Sequence, residues 1–145
     1  MASKLIRTEI SSEMIEKIYQ SALCGDFLDL VLNCVTKTLG DIPVTLFGVD
    51  TQDHRKNFFL QRGLCTEEAL LHINKLMVDN PWLNAQWRQP VGVVYQDDDL
   101  LPQSELHQWS KRKEWNAVLS DHKFATGIVI YRSGTRQLAL EVHYN

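Results

Sequence analysis

The sequence predicts an α+β fold, a five-stranded antiparallel sheet with flanking helices. Apolar residues recur at helical spacing between residues 11 and 40. After residue 43, strand patterns come in two pairs joined by short polar turns, one following the helical region and one at the end of the chain. A chain of 145 residues matches one domain and can bury a real core.

Ser11 and Ser12 are N-cap residue types, and Glu13 suits the positive end of a helix dipole. Met14, Ile15, Ile18, Tyr19 and Ala22 then form an apolar stripe, and Gly25 stops it. Asp26 can cap a second helix. Its stripe is Phe27, Leu28, Val31, Leu32, Val35 and Leu39, and Gly40 ends it. Val44 to Val49 is apolar on both faces, as a strand covered on each side should be. Asp50 to Lys56 is a polar turn region, Asn57 to Gln61 the partner strand of a hairpin, and Gly63 its close.

Thr66, Glu67 and Glu68 open another helix, with Ala69, Leu70, Ile73, Leu76 and Met77 as its stripe. Pro81 disfavours helix at Asn80, so that helix breaks there and an irregular segment follows. Val91 to Tyr95 reads as a short strand bounded by Pro90. Asp97 to Pro102 is a turn that starts a short helix. Leu106 and Trp109 share one face of it; Trp115, Val118 and Leu119 share another. Either the helix breaks near Lys111 or it meets partners on two sides. Phe124 to Tyr131 is a strand apolar on both faces, Ser133 and Gly134 a hairpin turn, and Arg136 to Tyr144 the last strand. In that strand Leu138, Leu140, Val142 and Tyr144 point one way, and Ala139, Glu141 and His143 the other.

A net charge of −3 argues against direct nucleic-acid contact. Lys111, Arg112 and Lys113 lie between Trp109 and Trp115, but Glu114 and Asp121 follow, so a solvated helix face explains them better than a strand-binding groove. Cys24, Cys34 and Cys65 are odd in number and never at CxxC spacing, which fits a reducing cytoplasm and neither a disulfide framework nor a zinc site. Residues 1 to 10 carry no signal-peptide pattern, and no stretch approaches a membrane span. No nucleophile elbow, Walker loop, dinucleotide fingerprint or HExxH occurs, and the histidines are scattered, so neither a metal nor a cofactor is expected. Asp97, Asp98 and Asp99 lack the alternate spacing and glycine of a calcium loop and read as a solvated turn and helix cap.

The aromatic residues are the candidate binding set. Trp82, Trp87 and Tyr95 lie in and just after the irregular segment; Phe47, Phe59 and Tyr131 lie on expected strands. Aromatics lining a sheet under a loop can form a small-molecule pocket or an ordinary core. Arg88, beside Trp87, is a candidate anchor for an acidic ligand. Glu141 and His143 share a strand face and could supply an acid and an imidazole. Nothing beside them in sequence offers a nucleophile, so they read as a surface pair, with His143 half-exposed, and no enzyme is expected.

Residues 14 to 39 resemble the opening of the LuxR-type helix-turn-helix regulators. The carriers are Ile18-Tyr19 with Ala22-Leu23, then a second helix closing on Leu39-Gly40. Asn80-Pro81-Trp82 is similar to a segment of their N-terminal domains. Pro90-Val91-Gly92 with Asp98, Leu101 and Pro102 resembles the stretch after it, and Gly127 to Arg132 with Leu138 to Leu140 resembles the final hairpin. The resemblance runs over most of the chain. It implies a PAS/GAF-like sensory domain, spanning residues 1 to 145, that binds a small-molecule effector or a partner and forms a homodimer through its N-terminal helices. DNA would be contacted only through a C-terminal helix-turn-helix absent from these residues. The alternatives are a ligand-free dimerisation or interaction module and, behind it, a small enzyme.

Overall fold

A computed structural model describes residues 27–64, 66, 67, 71, 77, 80–111, 118 and 124–145. The expected helix over residues 11–22, the cap at Asp26, most of the helix from Thr66 to Met77, and Arg112, Lys113, Trp115 and Leu119 lie outside the described residues.

The first described helix, α1, spans Phe27–Thr38. Leu28, Leu32 and Val35 fall on one helical face and pack on the sheet, with Leu32 wholly buried. Its end is set by Gly40 and Asp41, both in the left-handed region at φ 82° and 61°. That conformation lets the Asp41 N–H turn back to the Thr36 carbonyl at 2.9 Å. Strand β1 is Val44–Asp50 and β2 is Phe58–Arg62, antiparallel as the hairpin pattern requires. Arg62 fastens β2 to α1 through Asp29 at 2.8 Å and Asn33 at 3.0 Å. At the turn between the strands, the Asp50 carboxylate accepts from the Gln52 and Asp53 N–H groups at 3.0 and 3.1 Å. A single 3₁₀ turn, His54–Lys56, follows.

Two expectations change between residues 81 and 100. The segment read as irregular contains helix α2, Pro81–Gln86. Asn80 is extended, as Pro81 demands, but it is the N-cap: its side chain accepts from the Trp82 N–H at 2.9 Å, with proline at the first helical position. The strand expected from Val91 starts later. Gly92 sits at φ 80°, which interrupts extension, and β3 is Val94–Gln96. Val91 makes only an isolated parallel bridge to Val129.

The three aspartates form a one-turn helix, α3, Asp97–Leu100. Pro102 separates it from α4, Gln103–Ser110, which ends with Lys111 as its cap, the break near Lys111 that was one of the two alternatives. The final hairpin is β4, Phe124–Ser133, and β5, Arg136–Tyr144, turning on Gly134 and Thr135, one residue later than expected.

The strands form one antiparallel sheet in the order β2-β1-β5-β4-β3, an α+β arrangement with flanking helices. The strands β1 and β5 lie inside it and are covered on both faces, whereas the β3–β4 end leaves Val94, Phe124 and Tyr131 exposed. Val44 and Leu46, with Leu138, Leu140 and Val142, pack under α1. The opposite face carries Phe47 and Ala139, packed with Leu64, Met77 and Val118, and beside them Tyr95, Ala125 and Val129 under α2, α3 and α4. Burying both faces makes β5 an interior strand, and that decides what its polar residues do.

Candidate functional site

Side chains alternate along β5, and the more buried set is Gln137, Ala139, Glu141 and His143. The sequence reading placed Glu141 and His143 at the surface and left His143 half-exposed; each is only 5% exposed. The cause is a second helical layer, α2 to α4, which covers this face while α1 covers the apolar one. The same correction applies to Asp97, read as solvated with Asp98 and Asp99: it is 6% exposed, tucked under the turn of α3, whereas its two neighbours are exposed.

Strand register sets the geometry around Glu141. Thr45 on β1, Glu141 on β5, Gly127 on β4 and Tyr95 on β3 stand directly opposite one another in a row across the sheet. Gly127 has no side chain, so the Tyr95 ring lies over it and reaches the Glu141 carboxylate, with 2.8 Å between Tyr95 Oη and Glu141 Oε1. A Cβ at residue 127 would stand 2.5 Å from Tyr95 Oη and 2.7 Å from Glu141 Cγ. Helix α2 supplies the other donors. Trp82 and Gln86 are four residues apart and therefore on one helical face. Trp82 Nε1 donates to Glu141 Oε1 at 2.9 Å and Gln86 Nε2 at 3.0 Å. Gln86 also donates to the Tyr95 hydroxyl.

From Gln86 the network runs outward. Gln137 Nε2 donates to Gln86 Oε1 at 2.9 Å, and Gln137 Oε1 accepts from Arg132 Nε at 3.0 Å and Nη2 at 2.7 Å. A guanidinium only donates and a carboxylate only accepts, so the orientation of both amides between them is fixed. Arg132 also donates to the Gln89 carbonyl at 2.9 Å and lies over the Trp87 ring, 5.3 Å from its centre.

A β-bulge makes this reach. Val129 pairs with Ala139, but Tyr131 pairs with Leu138 and Arg132 with Gln137, so one extra residue sits in β4. Without it Val129 and Arg132, three apart, would point to opposite faces; with it they share one.

His143 stands next to Glu141 on the same face. Its Nε2 lies 3.0 Å from Thr45 Oγ1 and 4.0 Å from Glu141 Oε2. Hydroxyl and carboxylate approach the same ring nitrogen. A base relay needs them on opposite nitrogens, so the trio is not arranged to activate Thr45 as a nucleophile. Burial pushes the Glu141 carboxyl above the usual carboxylate range, against the Trp82, Tyr95 and Gln86 donors that favour its charge, and Asp97 adds to the rise. Burial likewise raises Asp97, and burial together with the nearby Glu141 raises Tyr95, which stays a phenol and a donor. Among the described residues no group of three or more acids, cysteines and histidines could hold a metal ion.

The sequence-predicted aromatics separate into three places. Trp82 and Tyr95 meet at Glu141. Trp87 is half-buried beside Arg132, and its neighbour Arg88 is exposed. Phe47 and Phe59 stack on each other with ring centres 6.4 Å apart, in the apolar cluster around Ala139. Tyr131 is exposed and pairs with Leu138, away from the site. Sequence reasoning missed Gln86, Gln137, Arg132 and Gly127. One signal for them existed: β1 is apolar on both faces, so a strand paired with it should be covered on both faces too.

No family model, no curated protein and no solved structure matches this chain.

Proposed function

We propose that this domain is the sensory module of a LuxR-type regulator with a PAS/GAF-like architecture. An effector molecule or a partner acts on the layer between the sheet and α2. The observation that carries the reading is the convergence of Trp82, Gln86 and Tyr95 on one buried oxygen of Glu141. Two separate elements, α2 and β3, thus share one acceptor on β5, and α2 has a second tie to β5 through Gln137. A ligand that competes for those donors, or supplies another, has different affinities for the attached and released states, which is the requirement for a population shift. The order of helices and strands and the motif resemblance support the family assignment. Homodimerisation through the N-terminal helices, a cytoplasmic location and operator contact by a separate helix-turn-helix belong to the same proposal. No helix among the described residues is long and apolar enough to cross a membrane.

A second reading, a ligand-free interaction module, is favoured by one observation. Trp82 and Tyr95 are themselves buried and hydrogen-bonded to Glu141, so they fill the space between the layers. Mass measurement of the purified domain under native and denaturing conditions separates the readings. The sensor reading expects an additional small-molecule mass per chain that is lost on denaturation, and a dimeric native species. A clean unliganded mass moves the assignment to the interaction module, and a strictly monomeric one contradicts the dimer. In a gel shift at physiological salt the domain alone should show no specific operator binding; clear specific binding would sink the division of labour.

A further inference from the structure

Arg132 is half-buried, unlike the exposed Arg88, and among the described residues neither arginine meets a carboxylate. Arg55, Arg62 and Arg136 each meet an aspartate, at 2.9, 2.8 and 3.2 Å. Among the described residues Arg132 meets no carboxylate. Its acceptors are the Gln137 amide oxygen and the backbone carbonyls of Gln89, at 2.9 Å, and Gln86, at 3.4 Å. A half-buried positive charge supported only by neutral oxygens and a ring face is incompletely compensated. The Gln137 contact shows where compensation would come from. Nε and Nη2 form the side fork of the guanidinium, which matches a carboxylate or phosphate that offers an oxygen to each donor. Here one amide oxygen serves both.

We propose that the side fork of Arg132, beside the Trp87 ring, is an anion-recognition position at which a carboxylate or phosphate group of an effector displaces the Gln137 amide oxygen. Displacement frees Gln137 to turn, and its other end is the donor to Gln86, which in turn donates to Glu141. Occupancy at the rim of the sheet is thereby felt at the buried carboxylate two amides away. The exposed Arg88, next to Trp87 in the chain, adds positive charge on the approach without being the anchor. This deepens the effector-binding reading and rests on it for its biological meaning.

The test is a titration of the domain with acetate and, separately, inorganic phosphate, read by NMR at the Arg132 Nε–H, the Trp87 indole N–H and the Gln137 side-chain amide. Saturable shifts at all three are expected. Read at the Trp87 indole and the Gln137 amide, the affinity should weaken at least about tenfold, one decade, in Arg132→Gln, and all three shifts should persist in Arg88→Gln. Gln137→Glu keeps Arg132 but seats a tethered carboxylate on its fork. It should abolish the response even if Arg132→Gln does not fold. The stronger of the two probes identifies the anion class. Absence of saturable shifts in the wild type, or their survival in Gln137→Glu, overturns the proposal. Anion binding without any effector mass or dimer would leave this position standing and remove the regulator reading; the converse would do the reverse.

Discussion

Gly127 sets the distance at which Tyr95 meets Glu141. The requirement is steric, since a Cβ there would collide with both side chains at once. Gly127→Ala should therefore push Tyr95 off Glu141 and cost about 1–3 kcal/mol in urea unfolding, the range for overpacking a core. Tyr95→Phe tests the same contact from the other side. It removes one of three donors to Glu141 and should cost about 0.5–1.5 kcal/mol, the net worth of one hydrogen bond. If Tyr95→Phe is neutral while Gly127→Ala is destabilising, packing and not the hydrogen bond matters at this point. Neither residue's role was legible locally. Tyr95 was singled out as an aromatic, but its partner depends on register across three strands, which pairs residues 95, 127 and 141, and no local window of sequence contains that information.

At the scale of elements, α2 is the piece on which the site depends. Six residues cannot hold a helix in water unaided. It persists through the Asn80 cap, the pre-set backbone of Pro81 and its two side-chain bonds to Glu141. Asn80→Ala should cost about 0.5–2 kcal/mol and speed amide exchange in Pro81–Gln86 ahead of the sheet; exchange that accelerates equally in β1 and β5 would mean α2 has no separate opening. Asn80-Pro81 is plain in the sequence, but it starts α2 where the sequence reading took it only as a helix break. Proline ends a preceding helix and begins a following one with the same fixed φ, and only the residues after it tell which applies. The bulge in β4 was hidden for another reason: Gly127 to Arg132 reads as an unbroken strand, and the extra residue exists only relative to β5.

The arrangement of the whole molecule was more legible. Two hairpins separated by helical segments yielded the α+β class and a five-stranded antiparallel sheet, because period and turn chemistry are local properties. Which face of β5 is buried was not local, since it depends on a layer contributed by α2, α3 and α4. That layer gives the molecule a particular response to pH. Glu141 and Asp97 are both raised above their ordinary values, 4.5 and 3.8. Between the ordinary value and the raised one, the unfolded chain has released a proton that the folded chain keeps, so stability falls as pH rises through this window. Asp50 has the opposite sign. Backbone N–H groups, chiefly that of Gln52, and Arg136 hold it well below the usual carboxylate range, and its contribution is lost as pH falls below about 3.8. Stability should accordingly be greatest in mildly acidic solution, as urea midpoints across pH will show.

Glu141 is a buried acid whose burial opposes its ionisation. The most direct measurement is the unfolding free energy of the wild type and of Glu141→Gln, compared between about pH 4 and pH 8. Glutamine keeps the shape and an accepting oxygen but cannot ionise. The wild type should lose stability relative to the variant as pH rises above about 4.5, by at most about 1.4 kcal/mol per pH unit, until the native carboxyl itself ionises. Parallel profiles across the whole range would show that Glu141 titrates alike in the folded and unfolded chain, and would contradict its place at the buried centre of the site.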